Sequence, residues 1–95
     1  MTSKQRAYLM SLASKEQAVV QIGKGALTPE VVEAAREAID KRELIKVSVL
    51  QNCLDDPKEM GRTMAERIKA ELVQVIGKKI VLYKPAKKPV IELPK

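Results

Sequence analysis

A short apolar run that ends at two closely spaced glycines constrains the fold of this chain more than any other feature. Residues 19–22 are rich in β-branched side chains and are followed at once by a glycine, which is typical of a buried strand. Thr28 is a good helix N-cap, and Pro29 suits the first position of a helix. The chain must therefore turn from a strand into a helix within residues 23–27, with Lys24 at the tip of the loop.

This strand-to-helix loop has the properties of a phosphate-binding loop. Its glycines permit a tight turn with outward-facing backbone N–H groups, and the following helix N-terminus adds partial positive charge. However, Glu30 and Glu33 at the start of that helix compete for the same dipole. We therefore expect a phosphate to bind the loop itself rather than the end of the helix.

Hydrophobic periodicity divides the rest of the chain into helices and strands. A capping box at Thr2 opens the first helix, and Asp56 followed by proline opens the third. Alternating apolar residues predict a strand after the second helix. The predicted helices cover residues 3–14, 29–41 and 57 onward, and the predicted strands cover 19–22, 43–50, 73–76 and 79–83.

The last two predicted strands form a hairpin that precedes a basic tail. Glycine at the first central position, Gly77, suits a type II′ turn with Lys78. Residues 87–95 follow as a proline-broken tail, within which residues 90–93 are a candidate short edge strand. The order α-β-α-β-α-β-β predicts a single compact α/β domain over residues 1–86, with a four-stranded mixed sheet covered by helices.

The distribution of charge points to a polyanionic partner. Of the net charge of +6, residues 1–27 contribute +3 (four bases, one acid) and residues 77–95 contribute +5 (six bases, one acid). Residues 28–76 carry eight bases and ten acids, a balance of −2. The cations thus concentrate at the two ends and around the glycine loop. This favours nucleic acid as a partner, although a basic tail also serves solubility.

The side chains that are missing argue against catalysis and against metal binding. Without His, the chain cannot form a Ser–His or Cys–His dyad. Asp55 and Asp56 are better explained by a helix cap than as metal ligands. With no Trp or Phe and only two Tyr, the chain cannot stack bases on an aromatic sheet, so RNA contacts must rely on backbone and phosphate. We expect no enzyme activity, no metal, no cofactor and no small-molecule substrate.

The sequence also carries signals about its compartment. The N-terminus has no apolar signal segment, and no apolar run approaches the roughly 20 residues that span a bilayer. A single cysteine, Cys53, excludes an internal disulfide and suits a reducing environment. These features predict a cytoplasmic protein without membrane contact.

Blocks of this sequence resemble the CRM domain, the chloroplast RNA splicing and ribosome maturation module, in its bacterial YhbY-like form. They are residues 4–9, 19–28, 43–47, 74–83 and the closing 93–94, and their common order and spacing make the resemblance specific. The resemblance implies a fold similar to the C-terminal domain of translation initiation factor three. It further implies RNA binding through a GxxG loop and a partner in ribosomal RNA of large-subunit precursors.

Two positions depart from the family pattern. The fourth position of the GxxG loop is Ala26, and Arg42 stands where relatives commonly have His. If the fourth position needs a positive φ, alanine carries a strain of about 1–2 kcal/mol there. We therefore expect Gly25 to take the left-handed conformation and the loop to shift slightly.

Two functions of different classes remain open from the sequence. One is an RNA-binding protein of large-subunit assembly, which contacts the RNA backbone through its glycine loop and flanking cations. The other is a protein-interaction adaptor on assembling ribosomes without direct RNA contact. The first helix also allows two interpretations. Lys4 and Arg6 lie either beside the glycine loop, where they add to the RNA-binding surface, or in solvent on a helix that serves only packing. The candidate RNA-binding residues are Gly23, Lys24, Gly25, Ala26, Lys4, Arg6, Lys46, Lys78, Lys79 and Lys84.

Overall fold

Three helices and four strands follow one another in the predicted order. The computed structural model describes residues 1–87, 89 and 91–94, and in this part of the chain no helix is long and apolar enough to cross a membrane. The predicted α/β domain with a mixed four-stranded sheet is confirmed. Its elements are α1 (Ser3–Ala13), β1 (Val20–Ile22), α2 (Pro29–Arg42), β2 (Leu44–Val49), α3 (Pro57–Ile68), β3 (Glu71–Ile76) and β4 (Lys79–Tyr83).

Each helix begins at a side-chain cap that the sequence predicts. The hydroxyl of Thr2 accepts a hydrogen bond from the Gln5 amide at 3.1 Å, and the Gln5 side chain accepts one from the Thr2 amide in return. The Thr28 hydroxyl caps α2 by accepting from the Val31 amide at 3.2 Å, and the Asp56 carboxylate caps α3 by accepting from the Lys58 amide at 3.0 Å. Such caps stabilise a helix by about 1 kcal/mol each and fix where it starts.

Strand pairing gathers three loops at one edge of the sheet. The strand order is β1-β2-β4-β3, with β1 and β2 parallel and the other two pairs antiparallel. Because β1 and β2 run in the same direction and β4 runs against them, β1 and β2 end where β4 begins. The backbone of Val49 confirms this, since its amide donates to the Lys78 carbonyl at 2.7 Å. We call this side of the sheet, with residues 23–27, 50–56 and 77–78, the loop edge.

Helices cover the two faces of the sheet unequally. Helices α2 and α3 pack on one face and bury the larger part of the core, and α1 packs on the other face. The α1 cluster involves the strand ends far from the loop edge, because Leu44 pairs with Tyr83 there. Burial raises the pKa of the Tyr83 phenol, and the nearby charge of Glu43 adds to this. The half of this face next to the loop edge is therefore left uncovered. The α1 cluster consists of Leu9, Ala13, Leu44, Val73, Val81 and Tyr83.

The final hairpin has the predicted turn but an irregular first strand. Gly77 has a φ of +55° and Lys78 does not have a positive φ, as a type II′ turn requires. Strand β3 starts at Glu71, two residues before the predicted start, and its register shifts between Leu72 and Gln74. This bulge breaks the regular alternation of side chains, which explains why the sequence pattern misplaced the strand start.

The C-terminal segment packs on the α1 face rather than adding a strand. Lys88, Val90 and Lys95 lie outside the described residues, and none of the described residues from 91 to 94 forms a strand. Ile91 and Leu93 pack against the α1 cluster, and the Gln5 side chain donates a hydrogen bond to the Pro94 carbonyl at 3.1 Å. For its described part, the predicted edge strand over 90–93 is thus corrected to a segment that extends the core.

Candidate nucleic-acid interface

Residues 23–26 form a tight turn at the loop edge. The amide of Ala26 donates to the Gly23 carbonyl at 2.9 Å, which is the closing hydrogen bond of a β-turn. Lys24 and Gly25 lie exposed at its tip. Among residues 1–87, 89 and 91–94, no acceptor receives a hydrogen bond from the backbone N–H of Lys24 or Gly25. The turn therefore presents two available N–H groups beside an ammonium group.

The conformation of this turn corrects one prediction about its glycine. Ala26 has a φ of +55°, whereas Gly25 does not have a positive φ, so the expectation that Gly25 adopts the left-handed conformation is wrong. Gly25 is needed for a different reason, because a Cβ at this position would lie 2.9 Å from Cγ2 of Thr28. Ala26, and not Gly25, therefore carries the strain of about 1–2 kcal/mol that the left-handed conformation costs a non-glycine residue.

The loop after β2 lies directly against the glycine turn. The Leu50 amide donates to the Ile22 carbonyl at 2.8 Å, and a Cβ on Gly23 would lie 3.8 Å from both the Leu50 and the Asn52 side chains. In the same loop Leu54 is 96% exposed, an unusual position for a large apolar side chain. Sequence reasoning assigned no chemistry to this loop, since its contact with residues 23–26 follows only from the parallel pairing of β1 and β2.

Four of the predicted lysines lie at the loop edge or on the sheet face beside it. Lys24 and Lys78 belong to two of its loops, and Lys79 begins β4 next to them. The Lys79 ammonium donates to the Ser48 hydroxyl at 2.9 Å, which holds this cation over the sheet face. Lys46, half-buried and two residues before Ser48, shares that face because side chains alternate along a strand. The structure therefore brings Lys24, Lys78 and Lys79 to the loop edge, while Lys46 lies farther along the same face, level with Val81 of the α1 cluster.

Arg6 and Lys4 lie away from the glycine turn. The Arg6 guanidinium donates to the backbone carbonyls of Leu72, at 2.9 Å, and Val73, which ties α1 to β3. Two strands separate β3 from β1, a distance of about 14 Å at the usual strand spacing. Lys4 is exposed on the same end of α1. Of the two positions left open for these cations, the structure rules out the one beside the glycine turn.

Lys84 lies at the opposite edge of the sheet. Its amide donates to the Glu43 carbonyl at 2.8 Å, just before β2 begins, and its ammonium lies 3.6 Å from a carboxylate oxygen of Asp40. This edge is a full strand length from the loop edge. Lys84 therefore cannot contact the same phosphate as Lys24.

Polar residues of the sheet face form a part of this region that sequence reasoning missed. Gln21 pairs with Ser48 and Ser48 pairs with Lys79, so the three side chains lie side by side on the uncovered half of the face. Gln21 and Ser48 each alternate with buried neighbours in their own strands, which is a signal present in the sequence. Their common position depends on the strand register, however, and the pattern within one strand does not contain it.

Comparisons with known proteins agree with the resemblance found in the sequence. The model of the CRS1 / YhbY (CRM) domain matches residues 1–84. Among similar proteins, "Probable RNA-binding protein YqeI" of Bacillus subtilis (strain 168) is 42% identical over 95 residues, which cover 99% of both chains. An "RNA-binding protein" of Haemophilus influenzae is 33% identical over 95 residues, covering 100% of this chain and 96% of the relative.

A solved structure has the same fold. It is the solution structure of a hypothetical protein from Staphylococcus aureus, described as a candidate RNA-binding protein. It superimposes with a TM-score of 0.84 at 46% sequence identity and covers 99% of each chain. With a family match over residues 1–84 and full-length relatives of this similarity, the chain belongs to the CRS1/YhbY (CRM) domain family.

Proposed function

We propose that this protein binds RNA, that the turn at residues 23–26 and the lysines of the loop edge contact RNA phosphates, and that it acts in assembly of the large ribosomal subunit. The observation that carries the proposal is the exposed turn, whose Lys24 and Gly25 amides have no acceptor in the described part of the chain. Three lysines lie at the same edge. The RNA partner is ribosomal RNA in the cytoplasm.

The chemistry of the turn suits a phosphate oxygen. Such an oxygen accepts hydrogen bonds from the two free amides and from the Lys24 ammonium, and charge-assisted bonds of this kind are about twice as strong as neutral ones. The Lys79 ammonium donates one of its three N–H groups to Ser48, and the other two are available to a second phosphate. The edge can therefore hold adjacent phosphates of one strand.

The names of the relatives support RNA as the partner, and the resemblance to the CRM family supports a role in ribosome assembly. Two curated relatives carry RNA binding in their names. Bacterial proteins that resemble this family are associated with precursors of the large ribosomal subunit. Three features of the sequence favour binding over catalysis. The chain has no His, no side-chain nucleophile is paired with a general base, and the glycine loop lacks the spacing of a P-loop.

A salt series with a matched pair of variants tests the role of the turn. Fluorescence anisotropy on fragments of large-subunit ribosomal RNA should give a log–log salt slope of about −0.7 per phosphate contact. Lys24→Gln should weaken binding and make the slope shallower by about 0.7. Lys84→Gln removes the same charge from the opposite edge and should leave both the affinity and the slope unchanged.

Binding that is absent at low salt, or that does not change with salt, would overturn the proposal. Equal effects of Lys24→Gln and Lys84→Gln would mean that the turn contributes only through the general positive charge of the protein.

An adaptor function is the second candidate, and the observation that favours it is the 96% exposed Leu54 at the same edge. Under that function Lys24→Glu leaves cosedimentation with ribosomal precursor particles intact, whereas under the proposed RNA binding the same substitution abolishes RNA association.

A further inference from the structure

One row of side chains crosses all four strands beside the loop edge. Gln21 of β1 pairs with Ser48 of β2, Ser48 pairs with Lys79 of β4, and Lys79 pairs with Ile76 of β3. Paired residues point to the same face of a sheet, so the four side chains stand side by side over about 14 Å. We call these four residues the cross-strand row.

Helix α1 leaves this row accessible. The side chains that contact α1 come from the far half of the face, from residues such as Leu44 and Val81. Gln21 and Lys79 are exposed, Ser48 is half-exposed, and Ile76 is 59% exposed although it is a large aliphatic residue. The row starts two residues before Gly23 and thus continues directly from the glycine turn. It is a flat, open surface with one cation and no acidic residue.

The chemistry of the row differs from that of the lysine-rich loops. A phosphate offers only acceptors, whereas the Gln21 amide and the Ser48 hydroxyl both donate and accept hydrogen bonds. Their complements are the ribose 2′-hydroxyl and the edges of bases, which also combine donors and acceptors. The exposed Ile76 side chain provides an apolar contact for the face of a base in a region with no aromatic residue.

We propose that the cross-strand row contacts the riboses and base edges of a single-stranded RNA segment whose phosphates lie on the glycine turn. This inference rests on the proposed RNA binding and adds which form of RNA is bound and which neutral residues recognise it. In an A-form duplex the Watson–Crick edges are occupied by pairing, the base faces are stacked and the major groove is deep and narrow, so only the minor-groove edges and 2′-hydroxyls stay accessible. Contact of Ile76 with a base face, together with hydrogen bonds to Watson–Crick edges, is therefore available only in an unpaired strand.

Neutral substitutions separate this contact from phosphate binding. The probes are an unstructured 12-nucleotide RNA, its DNA counterpart and the same RNA annealed into a duplex. The native protein should bind the single-stranded RNA most tightly. Gln21→Ala combined with Ser48→Ala should weaken that binding about tenfold, since two neutral hydrogen bonds are lost, and should reduce the preference for RNA over DNA. Because no charge changes, the salt slope should stay the same.

Gln17→Ala is the matched control, because Gln17 is equally exposed but lies before β1, away from the loop edge. Its RNA affinity should equal that of the native protein. Gln21→Ala alone repeats the test without touching the Lys79–Ser48 hydrogen bond, so a folding defect of the double variant would not hide the result.

Three outcomes would overturn the inference. They are a double variant with native affinity and native RNA preference, duplex bound as tightly as single strand, and a salt slope that falls with the neutral substitutions. Failure of the proposed function gives a different result, namely that Lys24→Gln leaves binding and salt slope unchanged. The two proposals can therefore fail separately.

Discussion

Ala26 occupies the position of the glycine turn that adopts the left-handed conformation. Its φ of +55° lies in the left-handed region, and its side chain packs at the margin of the main core. The neighbouring Gly25 cannot accept a side chain, because its Cβ would lie 2.9 Å from Thr28. Two adjacent small residues thus have opposite requirements.

These requirements predict opposite effects of two single-methyl changes. Ala26→Gly should stabilise the protein by up to about 1 kcal/mol, because relief of left-handed strain outweighs the added freedom of the unfolded chain. Gly25→Ala should destabilise it by about 1 kcal/mol through the contact with Thr28. Urea unfolding followed by circular dichroism measures both. A loss of stability in Ala26→Gly would show that the turn is not strained at this residue.

For single residues, the sequence predicts which side chain lies at the tip of the turn better than it predicts the backbone conformation of each residue in the turn. Lys24 at the tip of a glycine turn follows from local spacing alone. Which of residues 25 and 26 takes the left-handed conformation is a property of the folded turn that local spacing does not contain. The prediction of Gly25 followed from the general rule that glycine adopts this conformation without strain.

Helix α1 is attached to the sheet at its two ends by different means. Near its start, Arg6 donates to two carbonyls of β3, and further along Leu9 and Ala13 enter the α1 cluster. The β3 bulge leaves these carbonyls at a position where the regular ladder is interrupted. The arginine thus binds the backbone of β3 where its regular pairing with β4 is interrupted.

This attachment predicts that Arg6 contributes to stability rather than to RNA binding. Arg6→Met should lower the free energy of unfolding by about 1–3 kcal/mol, since charged hydrogen bonds to part-buried carbonyls are lost. The salt slope of RNA binding should stay at the native value. Lys4→Met, which removes an exposed cation two residues away, should change stability by less than about 0.5 kcal/mol. A shallower salt slope with native stability in Arg6→Met would contradict this assignment.

Element boundaries were predictable where a side chain marks them locally. Thr2, Thr28 and Asp56 cap helices that begin at the expected residues. The start of β3 was not, because its bulge removes the period of two on which strand prediction depends. The partners of Arg6 lie 66 and 67 residues away, and no pattern within a helix contains such a contact.

The molecule has two core layers of unequal size, and the C-terminal segment completes the smaller one. The α1 cluster has six buried residues, and Ile91 and Leu93 cover part of it. A charge count describes this segment as a basic tail, but its apolar side chains belong to the core. The charge count therefore describes the lysines of this segment but does not reveal that Ile91 and Leu93 between them pack against the α1 cluster.

Removal of these two side chains should destabilise the whole domain. Ile91→Ala combined with Leu93→Ala should lower the free energy of unfolding by about 2 kcal/mol, which corresponds to two half-buried aliphatic side chains. Because the layers share one sheet, unfolding in urea should remain a single cooperative transition. Glu92→Ala, an exposed residue between them, is the control and should be neutral. Native stability of the double variant would mean that the segment packs without contributing to the core.

The order of strands in the sheet could be predicted from the sequence only in part. Strand β4 is apolar on both faces, which is typical of a central strand, and the structure places it between β2 and β3. The sequence predicted the hairpin of β3 and β4 but not which of the two strands lies beside β2. That choice depends on burial of Ile80 and Leu82 in the main core, where α3 packs on β4.

Strand β1 has only three residues and a single neighbouring strand. Short segments at the margin of a sheet separate from it at a lower free energy than its centre does. The glycine turn is thus attached to the shortest strand of the sheet, at one of its two margins. Under the proposed RNA binding, local opening of this margin would let the turn adjust to the curvature of an RNA strand while the hydrophobic interior stays folded.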